Sequence, residues 1–161
     1  MSDLVPVGGT DTVSVRAFYS FDLSGLPLTV APEDISAATL SLEQVTVYPS
    51  SAYADMTTAG EKLILEQVSY GNQLTIADFT TPTLSLVTST FSTDATLARR
   101  SADVLTQVRD DLTNRAARGD RTQYRLRFPK DQPEGNYGFA DFATAEDSAR
   151  APGLELSYLA P

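Results

Sequence analysis

Histidine, cysteine and tryptophan are all absent from this chain of 161 residues, and lysine occurs only twice, at Lys62 and Lys130. Each absence removes a class of chemistry. Without imidazole there is no Ser-His-Asp or Cys-His catalysis, no histidine metal ligand and no imidazole switch near neutral pH. Without thiols there are no disulfides, zinc knuckles, iron–sulfur clusters or thiolate nucleophiles. Long apolar runs are missing too: no stretch reaches the ~20 residues of a membrane-spanning helix, so no membrane partner is expected. The start, Met1-Ser2-Asp3-Leu4-Val5-Pro6, lacks the basic opening and apolar run of a secretory signal. Two origins fit it: a module of a larger secreted chain, or a protein made without a signal, as virion proteins are.

Positive charge is scarce, with 12 basic against 21 acidic side chains and a net charge of −9. Attraction to a phosphate backbone needs a positive surface, so nucleic acid is not an expected partner. The charge is unevenly placed. Residues 1–98 hold 2 basic and 11 acidic groups, residues 99–130 hold 9 and 4, and residues 131–161 hold 1 and 6, giving −9, +5 and −5. The basic block either forms a binding patch or pairs with the acidic remainder once folded.

Serine and threonine together number 34, with 9 glycines and 9 prolines, a profile that suits an all-β surface or extracellular module. Period-two hydrophobic alternation dominates the pattern. It predicts strands over 12–22, 37–48, 62–70, 83–91, 101–105, 122–128, 137–142 and 154–159. In the first, Val13, Val15, Ala17, Tyr19 and Phe21 share a face. In the second the phase shifts between Leu42 and Val45, which predicts a bulge. In the fourth, Leu84 and Leu86 are expected to point inward, and in the sixth Tyr124, Leu126 and Phe128 alternate with Gln123, Arg125 and Arg127.

One short helix is expected over 107–118, capped by Thr106, with Val108 and Leu112 on one face and Gly119 as its stop. About eight strands with regular turns predict an all-β fold: a two-sheet jelly-roll β-sandwich in a single domain, 1–161, with 1–11 as an N-terminal arm.

Several segments, taken in order, resemble a known family. They are Val15-Arg16-Ala17-Phe18-Tyr19-Ser20-Phe21-Asp22-Leu23-Ser24, Ile35-Ser36-Ala37-Ala38-Thr39-Leu40-Ser41-Leu42, Leu65 to Phe79, and Asp103-Val104-Leu105-Thr106-Gln107-Val108. Gln123-Tyr124-Arg125-Leu126-Arg127-Phe128 and Pro152-Gly153-Leu154-Glu155-Leu156-Ser157-Tyr158 complete the set. Together they resemble the DNRLRE-type domain, a jelly-roll module of secreted and cell-surface proteins related to carbohydrate-binding modules and the disaggregatase-associated domain. The resemblance spans about residues 12–158 and implies a non-catalytic binding role at a cell surface or outside it. Family members often carry an Asp- and Asn-rich loop after the Arg-Leu-Arg strand. The corresponding stretch here, Lys130 to Tyr137, has fewer carboxylates.

Candidate chemistry follows from these placements. Arg121, Gln123, Arg125 and Arg127 fall on one side of their strand, where guanidinium forks and an amide suit an acidic polysaccharide or an acidic protein surface. The alternative is pairing with acids on neighbouring strands. In the absence of tryptophan, an aromatic platform for sugar rings falls to Tyr48, Tyr53 or Tyr137, although core or edge packing is the more ordinary role of each. Calcium takes roughly six to eight oxygen ligands, and Asp131, Glu134, Asn136 and Asp141 are the residues that folding would have to bring together; no other cofactor is implied.

Arg118-Gly119-Asp120 is an integrin-type tripeptide, although helix termination already accounts for Gly119. No carboxylate pair is placed for glycoside hydrolysis, Asp110 and Asp111 pointing apart on a helix, so the chain is read as non-enzymatic. A second functional class stays open: a structural subunit, such as a virion decoration or extracellular fibre protein. Its residues 3–9 would add a strand to a neighbouring copy.

Overall fold

The computed structural model describes residues 4–59, 62–84, 89–131, 133 and 137–159. Among the described residues ten strands form two antiparallel sheets: β1 Leu4–Thr10, β2 Ser14–Val15, β3 Ala17–Asp22, β4 Ile35–Tyr48, β5 Leu63–Val68, β6 Ser89–Ser92, β7 Arg99–Asp103, β8 Arg121–Arg127, β9 Tyr137–Ala143 and β10 Gly153–Tyr158. The larger sheet runs β10-β4-β9-β1-β2, with β7 also on β4, and the smaller runs β3-β8-β5-β6. The fold is an all-β sandwich. Its core joins Val7, Leu40, Leu42 and Phe142 from the larger sheet to Leu63, Leu65, Tyr124 and Leu126 from the smaller.

Two departures from the sequence expectation raise the strand number from eight to ten. The 12–22 run divides around Arg16: Ser14–Val15 pairs with β1 in the larger sheet, whereas Ala17–Asp22 pairs with β8 in the smaller one. The chain thus changes sheet within a single alternating run. The other departure is the N-terminal arm. Leu4–Thr10 pairs residue for residue with β9, from Leu4 opposite Ala143 to Thr10 opposite Tyr137, and Val7 is fully buried. The segment assigned to a neighbouring copy is therefore a strand of this chain's own sheet. Pro6 is tolerated there because β2 reaches only Gly8 and Gly9, so no partner on that side needs its missing N–H. A β-carbon at Gly8 would lie 1.9 Å from the Gly138 carbonyl oxygen, and its φ of +144° favours glycine independently.

The predicted phase shift in the second strand is present. The β4–β9 register slips between Gln44 and Thr46, and the bulge leaves Gln44 buried. Its amide is satisfied: Tyr53 Oη donates to Gln44 Oε1 at 2.6 Å, and Gln44 Nε2 donates to the Asp94 and Thr96 carbonyls at 3.1 and 3.0 Å. Tyr53 sits in a short helix, α1 (Ala52–Met56), that the sequence reading missed. Leu84 is exposed rather than inward, and Leu86 lies outside the described residues.

The second helix, α2, spans Leu105–Thr113, shorter and earlier than expected. The N-cap is Val104, not Thr106, and the Leu105 amide just after it donates to the Asp103 carboxylate at 2.9 Å. Val108 and Leu112 are buried as their spacing predicts, each contributing about 2 kcal/mol of apolar burial. Arg109 fastens the helix to the start of β4 by donating to the Ile35 carbonyl from Nε at 3.1 Å and Nη2 at 2.6 Å. Gly119 and Asp120 both take left-handed φ values, and the chain turns there into β8.

Candidate functional site

The polar face of the arginine strand is largely covered. Gln123 and Arg125 are buried, and Arg121 and Arg127 are half-buried. Arg125 stands opposite Glu66 in the β5–β8 ladder. Its Nη2 lies 2.7 Å from Glu66 Oε2, while Arg127 Nη2 lies 2.8 Å from Oε1, so one carboxylate holds two guanidinium groups. Burial pushes Glu66 upward, but hydrogen bonds from Arg127 and Arg125 outweigh it and hold the carboxyl below its usual range.

The cover over this face is the chain's own segment 70–81. Arg125 Nη1 donates to the Phe79 and Thr81 carbonyls at 3.1 and 2.8 Å, and Arg16 Nη1 donates to Phe79 O at 2.6 Å. Gln123 Nε2 donates to Gly71 O at 2.6 Å, its Oε1 accepts from the Tyr70 amide at 2.9 Å, and Arg121 Nε donates to Asn72 Oδ1 at 3.1 Å. The expectation of an open, ligand-binding arginine face is corrected: of the two readings of this strand, internal pairing is the one the geometry takes.

The charged side chains of the integrin-type tripeptide are likewise paired within the chain. Arg118 Nη1 lies 2.7 Å from Asp110 Oδ2 and also contacts Asp111 Oδ1, so the two aspartates converge on one cation instead of pointing apart. Asp120 pairs with Arg115. Asp111 is almost fully buried, and burial pushes its carboxyl up despite its pairing with Arg118.

Of the four candidate calcium ligands, Glu134 and Asn136 lie outside the described residues. Asp131 is taken by Arg16, with Nη2 at 2.8 Å from Oδ1, and Ser14 Oγ also donates to that oxygen at 3.3 Å. Asp141 stands on β9 opposite Pro6 on one side and Thr46 on the other, and burial pushes its carboxyl up. Among the described residues no three acidic side chains are grouped to hold a metal ion.

The tyrosines divide clearly. Tyr53 is buried edge-on against Phe128, 5.2 Å between ring centroids, and does not reach the surface. Tyr48 and Tyr137 come together on the outer face of the larger sheet, their rings stacked at 5.2 Å and 18°. Tyr137 Oη donates to Tyr48 Oη at 3.0 Å, and that hydrogen bond raises the Tyr137 phenol above its ordinary range. Tyr48 is 59% exposed.

Phe139 belongs to the same row. It faces Tyr48 across one ladder and Gly8 across the other, so the position beside it on β1 carries no side chain. Thr10 opposite Tyr137, and Thr46 opposite Asp141, complete the face with hydroxyl and carboxylate groups. Phe139 escaped the sequence reading, although the period of two from Tyr137 places both rings on one side of β9. The arrangement is an aromatic strip with hydrogen-bonding groups at its margins, able to stack on a flat apolar ring face and to bond hydroxyls beside it.

A separate cleft of about 460 Å³ runs along the outer edge of β3, lined by Val5, Phe18, Tyr19, Phe21, Thr144 and Pro152. Nothing in the sequence pattern pointed to it.

The chain is thus an all-β sandwich with a tyrosine pair at the surface of one sheet and a largely buried ionic layer on the other. No known family matches it, and no curated protein does.

Proposed function

We propose that the chain is a non-catalytic binding module of a cell surface or the extracellular space, and that it contacts polysaccharide through the Tyr48–Tyr137–Phe139 strip. The observation that carries this reading is the exposed Tyr48–Tyr137 stack, flanked by Thr10, Thr46 and Asp141. An exposed pair of stacked rings on a sheet presents flat apolar area at little entropic cost, because each ring rotates about only two side-chain torsions. Sugar rings have complementary faces of C–H groups rimmed by hydroxyls. The resemblance to DNRLRE-type domains supports the same direction. The assembly alternative relied on residues 3–9 reaching a second copy, and residues 4–10 are already paired with β9.

Affinity electrophoresis through gels cast with single polysaccharides (a neutral β-glucan, a xylan, a pectin, an alginate) tests the reading. Retardation by at least one gel is expected, and Tyr48→Ala together with Tyr137→Ala abolishes it while leaving the thermal unfolding midpoint close to that of the parent. Unretarded migration of the parent in every gel, or retardation indifferent to both substitutions, overturns it.

A further inference from the structure

We infer that Tyr48 and Tyr137 form a site of oxidative cross-linking, where a peroxide-driven one-electron oxidant joins the two rings within one chain. This goes beyond polysaccharide binding and does not depend on it. Among the described residues this is the one stacked pair made of two tyrosines: Tyr70 meets Phe18, Tyr53 meets Phe128 and Tyr124 meets Phe21, each edge-on. The hydroxyls are 3.0 Å apart and the ring centroids 5.2 Å, with an interplanar angle of 18°. The two rings thus converge toward their hydroxyl ends, and the ring carbons beside the hydroxyls carry the unpaired spin of a phenoxyl radical. The para position is already occupied by the side chain's own Cβ, so coupling falls to the ortho carbons.

The oxidant needs access, and Tyr48 is 59% exposed. Tyr19 and Tyr124, by contrast, are buried. Tyr137 Oη donates a hydrogen bond to Tyr48 Oη, so the two phenols form one connected pair.

The step balances with hydrogen peroxide and a haem peroxidase as oxidant. Each phenol gives up one electron and one proton, the two radicals form a single Cε–Cε bond, and the hydrogen on each coupled carbon moves to its ring oxygen. The two electrons and two protons reduce one peroxide to two waters. The product ties the end of β4 to the start of β9, positions 89 residues apart. In a chain without cysteine, phenol coupling is a covalent staple that the composition still permits.

The experiment treats the purified full-length chain with horseradish peroxidase and dilute hydrogen peroxide, then separates monomer from covalent dimer. The expected result is monomer that has lost two hydrogen atoms in mass, shows the blue fluorescence of dityrosine and yields a proteolytic fragment joining Tyr48 to Tyr137. Its thermal unfolding midpoint rises. Tyr48→Phe and Tyr137→Phe each abolish the monomer product, whereas Tyr158→Phe, which removes a partly exposed tyrosine elsewhere, leaves it intact. Fluorescence confined to covalent dimers, or a monomer product that survives Tyr48→Phe, overturns the inference. Retardation of the unoxidised parent in the polysaccharide gels reads the binding function separately, so failure of cross-linking and failure of binding are distinguished.

Discussion

Arg125 stands directly across the ladder from Glu66, its Nη2 2.7 Å from Oε2, with both side chains almost wholly removed from solvent. The pair lies on the face of the smaller sheet that points away from the apolar core, where a surface would be expected. It is internal because the 70–81 segment folds over it and offers the Phe79 and Thr81 carbonyls to the arginine's other edge. Glu66 is thus the centre of a buried ionic layer that attaches the covering segment to the sandwich.

Removing that carboxylate leaves two guanidinium groups without their counter-charge, one of them buried. Breaking one partner of a buried pair costs about 3–5 kcal/mol, mostly from the stranded charge. Glu66→Gln is expected to destabilise by an amount of that order, with Arg125→Ala close behind and Arg127→Ala milder because Arg127 is 25% exposed. Urea denaturation followed by circular dichroism measures the difference. A loss below about 1 kcal/mol for Glu66→Gln, the size of an exposed pair, would mean that solvent reaches this layer.

The same layer explains what could be read from the sequence and what could not. Alternation of Tyr124, Leu126 and Phe128 with Gln123, Arg125 and Arg127 correctly identified β8 and its core face. Period two separates the faces of a strand but carries no information on what covers the polar one. The cover comes from residues more than forty positions away, held by backbone carbonyls whose positions leave no mark on residue identity. The larger sheet presents the converse case. Tyr48 and Tyr137 were each recognisable as candidates, but their meeting depends on the slip between Gln44 and Thr46, which sets the face that Tyr48 occupies. Pro6, Gly8 and Gly9 made β1 look like an arm, since each disfavours a strand locally. Each is accommodated by a tertiary feature: the short reach of β2 for Pro6, the close approach of Gly138 for Gly8 and of the Val13 carbonyl for Gly9.

Asp111 gives a pH signature of opposite sign to an ordinary paired carboxylate. Arg118 contacts one oxygen, the other is buried without a hydrogen-bond partner among the described residues, and burial outweighs the arginine in raising the group's protonation range. A carboxyl raised on folding binds more protons in the native than in the unfolded state. Its contribution to stability therefore falls as pH rises from the ordinary carboxylate range to the raised one, and stays lost above it. Asp111→Asn removes that component, and Asp110 remains 2.7 Å from Arg118 to hold the cation. The stability of the variant relative to the parent is expected to improve between acid and neutral pH and then level off. Denaturation curves across that interval decide the matter, and a difference that is flat or shrinks with pH contradicts it.

Arg16 is the second fastening of the covering segment, and it sits where the chain changes sheet. Its guanidinium lies 4.0 Å from the centre of the Phe79 ring, donates to the Phe79 carbonyl at 2.6 Å and pairs with Asp131 at 2.8 Å. The groove beneath it, about 310 Å³, is walled by Leu74, Ile76 and Phe79 from the segment and by Val15 and Phe18 from the sandwich. Ile76 is 94% exposed and Leu74 53%, so apolar burial holds this stretch weakly and the arginine contacts carry much of its attachment. A cation–ring contact of this kind and a charge-assisted hydrogen bond are each worth about 1–2 kcal/mol. Arg16→Ala should therefore lower global stability by about 2 kcal/mol and, more specifically, expose 70–81 to local opening. Limited proteolysis under native conditions is expected to cut the variant first within 70–81, several times faster than the parent, while Arg16→Lys, which keeps the charge but loses the fork, falls between them. First cleavage elsewhere, or equal rates in all three, would show that Arg125 and Gln123 hold the segment without help from Arg16.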